Sequence, residues 1–147
     1  MCKAGINVCI GTDGAASNND LDMLGETRTA GFIGKSASND AAALPALDLL
    51  RMATINGARA LGIDDRTGSL EVGKQADLTS ISFDRISMQP VYDPISHLVY
   101  SASRSDVQNT WVNGRQLLSD GKLIGIDTQA IIDNAKEWSM RIRGQQT

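Results

Sequence analysis

Asp13 stands where the stretch INVCIGTDGAASNNDLDM, residues 6–23, changes character. Before it, apolar residues alternate with small and polar ones. After it comes a polar, glycine-bearing loop and then a helix-like run. A carboxylate at the end of a buried strand is a layout that serves chemistry, because a rigidly held acid can take or give a proton. The competing reading is structural: a loop aspartate that accepts from nearby backbone N–H groups and caps a turn. Few other residues could join it. His97 is the single histidine, and Cys2 and Cys9 are the only cysteines. With no second histidine to share a metal, His97 reads as a surface or packing residue. Two cysteines in an acidic chain without a secretory leader read as free thiols, with Cys9 a small buried thiol on its strand.

The elements that must position Asp13 follow from patterning. Ile6, Val8 and Ile10 alternate with Asn7, Cys9 and Gly11, which predicts a strand. A helix is expected from about Asp20 to Lys35, capped by Asn19 or Asp20 and carrying Leu21, Met23, Leu24, Ala30, Phe32 and Ile33. Gly25, Gly31 and Gly34 each weaken it by about 1 kcal/mol relative to Ala, so packing must hold it. Pro45 opens a further helix with Leu47, Leu50 and Ala53 on one face. A short helix follows, capped by Thr54 and stopped by Gly62.

The texture then changes. Turn signals at Gly68 and Gly73 flank strand-like runs at Ser69–Val72 and Asp77–Phe83. Asp93 and Pro94 open a short helix. VQNTWVNGRQLLSDGKLI predicts a hairpin with turns at Asn113-Gly114 and Asp120-Gly121. Ile131, Ala135, Trp138 and Ile142 fall at helical spacing in a final helix capped by Asp127 or Thr128. Trp111 and Trp138 read as core or interface anchors. The first strand has no strand neighbour close in sequence, so it must pair far away in this chain or in another.

The chain has 147 residues, 41% hydrophobic and 21% charged, which fits a soluble globular domain. A net charge of −3 with scattered Lys and Arg argues against nucleic acid as a partner. No apolar run is long enough to span a bilayer, and MCKAGINVCIG lacks a leader pattern, so a cytoplasmic location is expected.

GTDGAASNNDLDM, LRMATINGARALGI, GSLEVGKQADL, DPISHLVYSAS and VQNTWVNGRQLLSDGK occur in this order. Together they resemble the C-terminal third of an amidohydrolase-superfamily enzyme. The nearest branch holds 5-methylthioadenosine/S-adenosylhomocysteine deaminases and triazine chlorohydrolases. The resemblance covers essentially the whole chain. It implies an α+β fragment: the last strand and helices of a (β/α)8 barrel, then part of a small β-sandwich, then a C-terminal helix. Residues 1–65 would be the last βα unit and the helices after it. Residues 66–126 would be the β-rich share of the sandwich, and 127–147 the final helix.

The resemblance also implies roles. Asp13 would follow the eighth barrel strand, at the face where barrel active sites lie. There it would ligate or approach a catalytic divalent metal and shuttle the proton of the attacking water. Asn18 and Asn19 would contact substrate. Zinc or another divalent metal is the cofactor of the parent enzymes. The parent reaction is hydrolytic deamination of an aminopurine nucleoside, or a related C–N or C–Cl hydrolysis.

The histidine ligands of that family have no counterpart here, and His97 falls in the region of the small domain. A catalytic zinc needs about three protein ligands and a water. The expectation is therefore a natural truncation, a mobile gene fragment or one half of a split enzyme, with no metal bound by this chain alone and no activity alone. Unpaired strands invite pairing across chains, so a homo-oligomer with swapped strands, or a complementing N-terminal amidohydrolase fragment, is the expected partner. Two alternatives stand beside this. One is a non-catalytic self-associating binding module. The other is an oligomer that builds a new metal site from Asp13, Cys9 or His97 of different subunits. Gly31 and Gly34 in TAGFIGK, and the polar run ADLTSISFD, read as relaxed constraint or adaptation to a new packing.

Overall fold

The computed structural model describes residues 4–144. Helix α1 (Met23–Ser38) starts where the Asp22 carboxylate accepts from the Leu24 N–H at 3.0 Å. The cap is therefore Asp22, not Asn19 or Asp20. α2 (Ala46–Ala53) follows Pro45 as expected, and α3 (Ile55–Leu61) ends at Gly62 with φ 67°. Thr54 stands at the N-cap of α3 as expected, but its side chain makes no capping bond, because the hydroxyl donates back to the Leu50 carbonyl at 2.7 Å. α4 (Pro94–Tyr100) is opened by Asp93, which accepts from the Ile95 N–H and the Ser96 hydroxyl.

The buried cluster Leu49, Met52 and Val99 comes from α2 and α4, and Ala30 and Tyr100 pack against it. α1 reaches this cluster through Gly31. A Cβ built there would stand 2.8 Å from Cδ1 of the fully buried Leu49 and 3.6 Å from the Tyr100 ring. At Gly34 an added Cβ would run into Leu44. Gly31 is thus a place where helices approach closely and Gly34 one where Leu44 of the connector packs onto α1, so the expectation of relaxed constraint is corrected.

Four antiparallel strands form one sheet in the order β1 (Leu78–Ile81), β2 (Val107–Val112), β3 (Arg115–Ser119), β4 (Lys122–Leu123). Asn113 and Gly114 have φ 49° and 76°, and Asp120 and Gly121 have φ 47° and 73°. Paired positive φ is the signature of the hairpin turns that match strand twist, so both predicted turns stand. The polar run in β1 has its own cause. Ser80 faces Asn109 of β2, and the Asn109 amide donates to the Ser80 hydroxyl at 2.9 Å. Asp77 ties this sheet to the preceding loop, accepting from Thr67 at 2.7 Å and from the Asn113 N–H at 2.6 Å.

Two expected strands are not formed. Residues 6–11 carry no strand pairing among the described residues, because no neighbouring strand of this chain lies beside them. Residues 69–72 are turn and loop, with Leu70 and Val72 largely in solvent. Cys9 is exposed rather than buried, and Cys2 lies outside the described residues.

α5 (Thr128–Gly144) is capped by Asp127, which accepts from the Ala130 N–H at 3.0 Å. None of its residues is buried, so Trp138 is no core anchor here. The chain exposes 10386 Å². A compact monomer of 15.7 kDa exposes about 7,300 Å². No helix among the described residues is long and apolar enough to cross a membrane.

Candidate functional site

The segment 6–11 runs against α2 and α3 and delivers the loop that follows it. The Ile10 N–H donates to the Met52 carbonyl at 3.0 Å. The Asn56 amide donates to the Val8 carbonyl at 2.9 Å, and the Asn7 amide donates to the Asn56 carbonyl at 3.0 Å. Val8 and Ile10 reach the Leu49–Met52–Val99 cluster. Apolar anchoring on one side and asparagine bonds on the other fix where the chain emerges.

Asp13 follows, exposed, with φ 60°. That left-handed region is uncommon for a non-glycine residue, though aspartate tolerates it better than most. Its carboxylate accepts from the Gly14 N–H at 2.6 Å. The Gly14 N–H and then the Ser17 hydroxyl hold the carboxyl below its ordinary value, with a small opposing effect of burial. Asp13 therefore carries a negative charge at neutral pH.

The structure sets the other expected site residues apart. Both amide hydrogens of Asn18 are engaged inside the protein, one on the Thr12 carbonyl at 2.9 Å and one on the Glu26 carboxylate at 2.8 Å. Its carbonyl accepts from the Asp20 N–H at 3.2 Å. Asn18 thus braces the loop. Asn19 is exposed and makes no side-chain hydrogen bond to the described residues. His97 lies in α4 with Nδ1 3.2 Å from the Asp93 carbonyl and its ring against Phe83, a packing position.

Two residues of α1 escaped the sequence reading. Glu26 meets Asn18. Arg28 donates from Nε to the Val99 carbonyl at 3.2 Å and from its terminal nitrogen to the Ala102 carbonyl. Charged residues inside a mostly apolar helix were the available signal, but their partners lie 8 and 71 or 74 residues away. From the loop itself, Asp20 pairs with Arg104.

No cluster of three His, Cys, Asp or Glu residues that could hold a metal forms among the described residues. Asp13 offers one oxygen donor group where a catalytic zinc wants about three protein ligands. The residues present do not fit a complete zinc site. A cavity of about 1280 Å³ opens between the helices and the sheet, lined by apolar residues including Leu50, Ile55, Leu78, Leu98 and Val107.

Residues 1–117 match the amidohydrolase family. The chain belongs to the amidohydrolase family. It is 45% identical over 142 residues to a 5-methylthioadenosine/S-adenosylhomocysteine deaminase of Teredinibacter turnerae, a match that covers 97% of this chain and 32% of the relative. Among solved structures it is similar to an adenosine deaminase from Xanthomonas campestris with bound zinc. That match has a TM-score of 0.93 and 49% identity and covers 97% of this chain and 33% of the other. It is also similar to the zinc complex of atrazine chlorohydrolase from Arthrobacter aurescens. There the TM-score is 0.84 and the identity 33%, over 92% of this chain and 30% of the other. The chain spans about a third of the length of these proteins.

Proposed function

We propose that this chain supplies the Asp13 corner of a hydrolytic deaminase acting on an aminopurine nucleoside. Methylthioadenosine and S-adenosylhomocysteine are the leading substrates, as in the relative's name. One observation carries the reading: an ionised, exposed carboxylate sits at the end of an anchored segment, in a chain 45% identical to such a deaminase. In this reading residues 6–11 take the place of the last strand of a barrel, and β1–β4 form one share of a small sandwich.

Asp13 performs proton transfer. It accepts a proton from the attacking water and returns it to the leaving amino group, so that the water oxygen replaces that group on the purine carbon and ammonia leaves. A catalytic metal at this corner would be held mainly by residues that the described part of this chain does not contribute. A complementing amidohydrolase segment with histidine ligands is the partner this reading requires.

The test is complementation. The chain is co-expressed with the part of the Teredinibacter turnerae relative that it does not match, and ammonia release from S-adenosylhomocysteine is followed. Activity is expected for the pair and not for either piece. Asp13→Asn is expected to lower the rate by about 10²–10⁴-fold, the usual contribution of a positioned acid–base group. Equal activity of Asp13→Asn and the unmodified chain would overturn the role of Asp13.

A second reading is a self-associating module without catalysis. It is favoured by the surface of 10386 Å² and by an α5 with no buried residue. Homo-oligomers with exchanged elements belong to this reading.

A further inference from the structure

We infer that Glu26 is a positioning residue for Asp13, acting through Asn18. The inference rests on the reading of Asp13 as the proton acceptor, and it concerns what keeps that carboxylate where it stands.

The Asn18 amide donates to the Thr12 carbonyl at 2.9 Å and to the Glu26 carboxylate at 2.8 Å. The Thr12 carbonyl belongs to the peptide plane whose N–H is that of Asp13. Holding that oxygen holds the plane, and the plane fixes one side of the torsion φ at Asp13. Asp13 sits at φ 60°, where a non-glycine residue stays only if its surroundings over-determine it. In that conformation its own carboxylate meets the Gly14 N–H at 2.6 Å. Asn18 is therefore the link that keeps Asp13 from relaxing.

Glu26 adds a third partner that holds Asn18 in one orientation. An asparagine side chain can present either its oxygen or its NH₂ group after a half turn. Thr12 and Glu26 both offer acceptors, and the Asp20 N–H offers a donor. Only one orientation satisfies all three. Glu26 also anchors the brace outside the loop. It belongs to the first turn of α1, and Arg28 two residues on holds α1 to the carbonyls of Val99 and Ala102. Both of those residues are buried. The line from core to Asp13 runs Val99, Arg28, α1, Glu26, Asn18, Thr12.

The test is amide hydrogen exchange by NMR on the full chain, with Gly14 as the reporter and Ala30 and Ile33 of α1 as controls. Glu26→Ala is expected to speed exchange at Gly14 by about tenfold, matching Asn18→Ala, with little change at the controls. The double variant should exceed neither single one, since both break one brace. Glu26→Gln keeps an acceptor oxygen and should stay within about twofold of the unmodified chain. A Gly14 rate unchanged in Glu26→Ala overturns the inference. So does a rise that is equal at Gly14 and along α1, which would mark Glu26 as a helix stabiliser only. The exchange rates do not depend on deaminase activity, so failure here is separate from failure of the complementation assay.

Discussion

Asp106 and Asp13 are both held below the ordinary carboxylate value, by different routes. At Asp13, in solvent, the Gly14 N–H and the Ser17 hydroxyl favour the charged form. At Asp106, 2% exposed, burial pushes the carboxyl up. The Ser103 N–H at 2.8 Å, the Ser103 hydroxyl at 3.1 Å and the Arg85 guanidinium at 2.6 Å pull it down by more. A folded-state value below the unfolded one adds stability that is complete above the ordinary value of 3.8 and is lost as pH falls through the folded value. Asp106→Asn should therefore cost about 2 kcal/mol at pH 7, a magnitude kept low because Arg85 is half exposed. The gap between variant and parent should be narrower at a pH below 3.8 than at pH 7, because the lowered carboxyl loses its charge only as pH falls below that ordinary value. Urea unfolding at the two pH values measures it, and a gap that stays constant would contradict this account.

Between elements, Gly31 makes a prediction whose sign runs against helix propensity. In an exposed helix Gly→Ala adds about 1 kcal/mol of stability. Here the new methyl would stand 2.8 Å from Cδ1 of Leu49, which is fully buried and would have to shift within the core. Gly31→Ala is expected to destabilise by about 1–3 kcal/mol in urea or thermal unfolding. The same position shows where the sequence stops being legible. A glycine in a helix reads as a weakness until the neighbour 18 positions away is known. The hairpins were readable because Asn113-Gly114 and Asp120-Gly121 specify their own backbone. Alternation at Ile6, Val8 and Ile10 reports which side chains face the core, and Val8 and Ile10 do pack there. It says nothing about a neighbouring strand, and among the described residues none pairs with this segment. Asp13 was legible as a site candidate from its place after that run. Its brace was not, because Glu26 and Arg28 act across space.

At the scale of the molecule the surface is too large. An excess of about 3,000 Å² over a compact monomer is the size of an obligate interface. The apolar stripe Ile131, Ala135, Trp138 and Ile142 on α5 and the apolar cavity under β1 are parts of it. Size-exclusion chromatography with light scattering is expected to show an assembly, either of copies of this chain or with a complementing segment. A stable monodisperse monomer at micromolar concentration would contradict it. The molecule brings its own optical probe for this question. Of its two tryptophans, Trp111 is half-buried within the sheet and Trp138 stands 56% exposed on α5. Covering α5 moves the indole of Trp138 from water into an apolar contact and leaves Trp111 in place. The colour and quenching of its fluorescence would then register docking of the last helix without any label, and a Trp138→Phe variant would make the signal silent.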